Sequence, residues 1–465
     1  MDPLTDWLAA PKPDRQALIA ALSSDHAEHA LNLVRAPERW GVYASLGPNF
    51  QYAIFGRDSI ETAEDILAFD PDTVHDIILK LCYLQGTTNT TTEEEPGKIH
   101  HEFRAVRLNG HDVPERSIEI IRRLQRQWGG EGTDEMIYYG SHDATPLFVR
   151  LVGRYCDRAG SGILDETVTR RGDGETTVRD CLRAALGWLE TKISDHSLGL
   201  FVQQRLNPNG IVNQAWKDSP TSYLHLDGTL PGYDSPVASI ELQGYAYDAL
   251  LTGMRLHLGS PEDRERWGHL AQQLQRQTVQ LLWMEDAQYF AQALDFTNPA
   301  EPRQIATITS NPGALLDSGL LHDLPGSDAR RFSEAIMHTV MGPELLTTIG
   351  VRCRAVKHWD LQAFIDYHGP NTVWPKETYD IAKGLRRAGL HHEAGDLEDR
   401  LMAGLKEAGE FAEFFYVSRS GKVWYDTAEA MGHFSAQSQG HDIPVPEPAQ
   451  AWTIAAALAI SRRRA

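Results

Sequence analysis

Seven stretches of the chain set aromatic rings beside charged or amide side chains. NFQYAIFGRDSIETAEDIL carries Arg57 and Asp58, PGKIHHEFR carries Glu102 and Arg104, and MIYYGSHDATPLFV carries His142 and Asp143. NQAWKDSPTS holds Trp216 and Asp218, and the nearby ELQGYAYDAL adds Gln243. YHGPNTVWPKETYDIAKGL contains Trp374, EFFYVSRSG opens on Glu413, and PEPAQAWTIAAAL closes the series. Such pairing suits a sugar: aromatic faces stack on the C–H side of the ring, while carboxylates, arginines and amides bridge its hydroxyls. Cleaving a glycosidic bond then takes two carboxyl groups, one protonated to help the leaving oxygen depart and one ionised to activate water.

Each motif alone has a plainer reading. Asp58 and Asp143 both stand where a carboxylate caps a helix, an isolated Trp belongs to a core, and an isolated Glu faces solvent. His100 and His101 are adjacent and so point to different sides, with no third ligand placed by spacing; no metal site is expected. The recurrence across seven loops is what the plain readings leave unexplained.

The elements that must position these loops are helices. In PDTVHDIILKLCYLQG, Val74, Ile77, Ile78 and Leu81 follow the i, i+3, i+4, i+7 rule of one amphipathic stripe, with Asp72 as its expected cap. Leu147, Leu151, Val152 and Tyr155 repeat the pattern, a further helix is expected to open at Ser235–Pro236, and Ala394, Leu397, Leu401 and Leu405 mark a late one. About a dozen such segments run from Asp14 to Arg464, separated by polar or Gly/Pro-rich loops. Strand alternation is confined to pieces such as Glu413–Ser418 and Lys422–Tyr425. No fixed short period indicates a solenoid. The pattern fits a closed ring of helical hairpins whose long loops, 87–113, 205–235 and 413–446, gather over one mouth.

Composition agrees with a globular protein. The 465 residues are 42% hydrophobic and 23% charged, and 44 Lys+Arg against 64 Asp+Glu leave a formal charge of −20. That surface repels phosphate backbones and anionic lipid, so neither nucleic acid nor membrane is expected as a partner. The N-terminus has no basic segment followed by an apolar one, the longest apolar runs are short, and Cys82, Cys156, Cys181 and Cys353 are scattered. A reducing, cytoplasmic setting is the expectation.

Taken in order from about residue 49 to 463, FGRDSIETAEDIL, PGKIHHEFR, YYGSHDATPLFV, NQAWKDS, ELQGYAYDAL, SNPGALLDSGLL, HGPNTVWPKETYDIAKGL and PAQAWTIAAAL resemble the signatures of the amylo-α-1,6-glucosidase type, within the six-hairpin glycosidases. The resemblance implies one (α/α)6-barrel catalytic domain over 1–465, with 1–45 a helical lead-in, and inverting hydrolysis of an α-glucosidic bond without a cofactor. It implies Asp218 as general acid and Glu413 as general base, with Glu429 and Glu447 as alternatives because Ala412 replaces the family's Pro. Arg57 and Asp58 are implied as a clamp on the nonreducing-end sugar, with Glu102, His142, Asp143, Trp216, Gln243 and Trp374 lining the same pocket. Lys217 would oppose protonation of Asp218, so its ammonium is expected to point away. The expected substrate is an oligosaccharide or a small α-glycoside, including glucosides of small acids such as glycerate. The rival readings are a sugar epimerase on the same fold, working with His pairs, and a non-catalytic carbohydrate-binding scaffold.

Overall fold

A computed structural model describes residues 3–22, 27–108, 110–172, 174–362, 365–435 and 442–465. Six inner elements neighbour one another in a closed cycle: the helices Gly56–Ile66, Ala144–Ala159 and Ile240–Arg255, the 3₁₀ segment Asn311–Asp317, and the helices Pro375–Arg387 and Ala451–Arg464. The last returns to the first. Five are backed by the outer helix that follows them: Pro71–Tyr83, Val178–Ser194, Pro261–Leu282, Gly326–Val340 and His391–Ala408. The sixth, Ala451–Arg464, is backed from the other end of the chain by Ala27–Val34. This is an (α/α)6 toroid, as the resemblance implied.

The amphipathic stripes explain the two rings. Val74, Ile77, Ile78 and Leu81 face inward from their outer helix, joining Ile60, Ala63, Leu147 and Leu151 of the inner helices in the main core. The late stripe lies in His391–Ala408, and the strand pieces in Phe415–Val417 and Val423–Trp424. Two boundaries differ from the sequence reading. Asp70 rather than Asp72 caps Pro71–Tyr83, its Oδ1 accepting from the Thr73 amide at 3.2 Å. The residues after Ser235–Pro236 form strand Val237–Ser239, and the helix starts only at Ile240, because the strand pairs with Ala293–Asp295. Among the described residues no helix is long and apolar enough to cross a membrane.

Three inner helices follow directly on strands. Ile54–Phe55, Val237–Ser239 and Thr372–Val373 each belong to a small three-stranded antiparallel sheet. These sheets fix the entry of alternate inner helices. Gly56 shows how closely: its amide donates to the His101 carbonyl at 3.0 Å, and a Cβ there would lie 2.1 Å from the His100 carbonyl oxygen. Only glycine lets the first inner helix start against that strand.

The lumen of the toroid is ionic. Glu61 meets Lys376 at 3.1 Å, Lys376 meets Asp380 at 2.7 Å, and Lys383 pairs with Asp380 at 2.8 Å and with Asp65. Arg154 joins Glu64 at 2.9 Å to Asp317 at 2.7 Å. Glu61–Lys376, Asp65–Lys383 and Arg154–Asp317 link elements that are not ring neighbours, so these three pairs cross the central space.

Where the ring narrows to the short 3₁₀ segment, glycine again allows close approach. A Cβ on Gly384 would lie 2.5 Å from Leu316 Cβ and 2.8 Å from its carbonyl carbon. Gly384→Ala is therefore expected to destabilise the fold by about 1–3 kcal/mol, because backbone must shift and the gain in helix propensity is smaller. Thermal unfolding of the variant checks this; an unchanged or raised melting temperature would contradict the close contact.

Candidate active site

The inner elements begin at one end of the toroid, and the candidate residues gather there. A cavity of about 260 Å³ is lined by Arg57, Asp58, Glu102, Trp216, Asp218, Trp374 and Glu413, seven of the ten residues singled out from sequence. It is also lined by Arg104, which the sequence named beside Glu102, and by Tyr367, His368, Trp452, His101, Arg123 and Trp128, which sequence reasoning did not select as pocket residues. Tyr367, His368 and Trp452 lie inside the aromatic-rich motifs, so motif membership was a usable signal; Trp128 ends helix Glu115–Trp128 with no motif around it.

Arg57 is the centre of the polar wall. It stands in the first turn of Gly56–Ile66, its side chain only 7% exposed, and its Nη1 donates to Asp143 Oδ2 at 2.8 Å and to the Ala215 carbonyl at 3.2 Å. Its Nη2 donates to Asp218 Oδ2 at 3.0 Å. One guanidinium thus joins two inner elements to the loop that carries Trp216 and Asp218. Asp143 occupies the N-cap position of Ala144–Ala159 but makes no cap bond. Its oxygens instead accept from Arg57 and, at 2.6 Å, from Ser141 Oγ. Asp58 is not a cap either, since Phe55 holds that position; its Oδ2 accepts from Gln450 Nε2 at 3.3 Å.

Three carboxyl groups at this cavity are displaced in the same direction. Burial pushes Asp58 up to about 7, against the pull of Arg57. Burial likewise raises Asp218 despite the Arg57 contact, with Asp143 adding to the rise. Glu413 is 2% exposed and is held well above the usual carboxyl range by burial, although Tyr367 Oη and, at 3.0 Å, the Glu447 amide both donate to it. Among clustered acids in a dry pocket, protons are retained at pH values where a surface carboxyl has lost them.

Of the three glutamates considered for one role, Glu413 alone lines the cavity. Glu447 is buried next to it, but its carboxylate turns to Ser45 Oγ at 3.0 Å and Asn49 Nδ2 at 2.8 Å. Glu429 is exposed on helix Thr427–Ser435. Lys217 points away from Asp218: its Nζ donates to Ser310 Oγ at 2.6 Å and to the Cys353 carbonyl at 2.9 Å.

Trp216, Trp374 and Trp452 make the apolar floor, with Trp216 edge-on to Trp374 at 5.0 Å and to Trp452 at 5.6 Å between ring centroids. The Lys376 ammonium lies 4.5 Å from the Trp216 ring centroid, tying this floor to the ionic lumen. Glu102 and Arg104 sit two apart on the central strand Glu102–Ala105, paired with each other, and Arg104 Nη2 also donates to the Asn49 carbonyl.

His142, Asp143 and Gln243 were expected to line this pocket, and they lie behind it instead. His142 packs between Trp188 and Phe201, its imidazole kept neutral by burial. Gln243 clamps the Phe201 backbone, accepting from its amide at 3.0 Å and donating to its carbonyl at 2.7 Å. His142 is taken up by aromatic core contacts, Gln243 by the Phe201 backbone, and Asp143 by Arg57 and Ser141. His100 and His101 are held neutral, His100 pushed down to about 3 by burial. Among the described residues no three His, Cys, Asp or Glu side chains converge to hold a metal.

Comparison with family models and with curated proteins finds no match. Solved structures do match. A GH63 mannosylglycerate hydrolase from Thermus thermophilus, in complex with glucose, has a TM-score of 0.57 at 15% identity, covering 94% of this chain and 99% of that one. A structure described as a wild-type glycosidase has a TM-score of 0.58 at 12% identity, with 96% of each chain covered. An uncharacterized conserved protein from Thermus thermophilus has a TM-score of 0.55 at 14% identity, covering 97% and 99%. At such identities the likeness is one of fold: this chain shares the helical toroid of these structures.

Proposed function

We propose that the chain is an inverting glycoside hydrolase acting on an α-glucosidic bond. The observation that carries the reading is the meeting of Asp218, Glu413 and Asp58 in one cavity floored by three indole rings. The fold shared with solved glycosidases supports it. In this reading the sugar ring lies on the Trp216–Trp374–Trp452 floor, with Asp58 and Arg57 gripping its hydroxyls. Asp218, protonated because it is partly buried, gives its proton to the glycosidic oxygen as the C1–O bond breaks. Glu413, when ionised, takes a proton from a water that attacks C1 from the opposite face, so the configuration inverts. Tyr367 Oη and the Glu447 amide favour that ionised form by donating to it.

In this reading the leaving group meets Arg104 and Arg123, with Glu102 answering part of the Arg104 charge. Arg104 Nη1 is buried without a hydrogen-bond partner, and Arg123 lines the same cavity. In a chain of net charge −20, this favours a small leaving group bearing a carboxylate over a polymer branch point. The Thermus neighbour's name, mannosylglycerate hydrolase, describes such a substrate.

A panel of α-glycosides, neutral and carboxylate-bearing, tests the reading. Proton NMR of the first-released sugar should show the β-anomer, and Asp218→Asn or Glu413→Gln should lower kcat by about a hundredfold to ten-thousandfold. Release of the α-anomer would contradict inversion. An epimerase would convert free sugars and incorporate no oxygen-18 by hydrolysis, and a binding scaffold would lose nothing in Asp218→Asn.

Asp58 yields a test in which stability and activity part company. Its folded-state value of about 7 lies above the ordinary 3.8, so the native protein retains a proton that the unfolded chain releases. Stability from this group is present below about pH 4 and is lost as pH rises through about 7. Asp58→Asn should therefore melt at a higher temperature than wild type near pH 8, with the difference vanishing near pH 4. Its kcat/KM should still fall about a hundredfold for loss of the sugar clamp. Normal turnover would show that Asp58 does not hold substrate.

A further inference from the structure

The wall behind the cavity contains a charged pair that the chemistry above does not use. Lys217, between Trp216 and Asp218, is fully buried, and its ammonium meets Glu377 Oε1 at 3.1 Å. With Ser310 Oγ and the Cys353 carbonyl, that gives one acceptor for each of its three N–H donors. The same Glu377 oxygen accepts from the Trp216 indole Nε1 at 3.2 Å, and Cys353 Sγ donates to Oε2 at 3.5 Å. Glu377 sits in the first turn of Pro375–Arg387, where the free amides of a rigid inner helix favour a carboxylate.

We propose that Glu377 is a positioning residue for the acid, forming with Lys217 a buried latch that sets both the Trp216 indole and the direction of the Asp218 carboxyl. The segment 216–218 is held from two sides. Arg57 grips Asp218 from the cavity, and the latch draws Lys217 into the toroid, so the two side chains flanking it are turned toward the sugar. Without the latch, Arg57 alone restrains the Asp218 carboxyl. The groups facing Asp218 are Arg57 and Asp58 from Gly56–Ile66, Asp143 at the start of Ala144–Ala159, and Tyr367. Glu377 and Lys217 are not among them. They act on Asp218 through the chain.

The inference rests on Asp218 as the acid, and its test separates the two. Removing one half of a buried pair strands the other charge, whereas replacing both by apolar groups of similar size is often tolerated. The double variant Lys217→Met/Glu377→Met removes the latch, and Glu377→Gln, which keeps an acceptor for the indole, serves if the double variant does not fold. In the folded variant kcat should fall at least about tenfold while KM changes less than about threefold, since a misdirected acid costs the chemical step more than binding. The alkaline limb of kcat/KM should move to lower pH by at least about half a unit, as Asp218 loses part of the burial that keeps it protonated. A carbon-13 NMR titration of Asp218 reads the same midpoint without turnover. A lowered midpoint supports the latch even if wild type hydrolyses none of the panel, a result that would count only against the hydrolase reading. An unmoved midpoint with unchanged kcat in a folded variant would overturn the latch.

Discussion

The end of this toroid is organised around a guanidinium that is nearly shut off from solvent. Arg57 is nearly enclosed, so its charge must be met by protein groups, and Asp143 and Asp218 meet it. Breaking such a group typically costs several kcal/mol, because a buried ion left alone is far worse than one that was never there. The requirement ties the first inner helix to the entry of the second and to the Trp216–Asp218 loop. The pocket's shape is therefore fixed by charge compensation as much as by packing. The same constraint extends below the floor, where Lys376 and Lys383 of one inner helix answer Glu61 and Asp65 of another.

Burial and compensation also set the acid–base character of the cavity. Three carboxyls share one poorly hydrated space with a single close guanidinium, so their protons are held tightly. Electrostatic strain of this kind is tolerated where a site must bind and react, and it lowers stability relative to a neutral pocket. The aromatic floor contributes in the opposite sense, since its indole rings bury large apolar surface and pack edge to face.

Much of this was legible in the chain. The period of Val74, Ile77, Ile78 and Leu81 forces an outer helix with one apolar face, and the Gly–Arg–Asp and Trp–Lys–Asp loops mark cavity residues because few other contexts need those side chains together. Other features were not legible. His142 and Gln243 sit in motifs as polar as those of Asp58, yet their direction depends on where neighbouring loops run, which local pattern does not encode. Glu447 and Glu413 are adjacent in space, the Glu413 amide donating to the Glu447 carbonyl and the Glu447 amide to the Glu413 carboxylate, and only the fold shows which carboxylate faces the cavity. Helix Ile240–Arg255 starts later than its Ser–Pro signal because strand pairing with Ala293–Asp295 outweighs a local cap.

The closure of the ring by Ala451–Arg464 against Gly56–Ile66 has a kinetic consequence. Nearly four hundred residues separate Gln450 from its hydrogen-bond partner Asp58, so the contacts that complete the cavity are among the most non-local in the molecule. Loop-closure entropy must be met before those contacts reward it. During synthesis, five hairpins can dock in sequence on the ribosome while the gap between first and last inner helices stays open, with apolar flanks of both exposed. The cavity and the final seam of the barrel then form together, in the last step of folding. Chaperone dependence and aggregation should concentrate on that late, open-ring species rather than on any single hairpin.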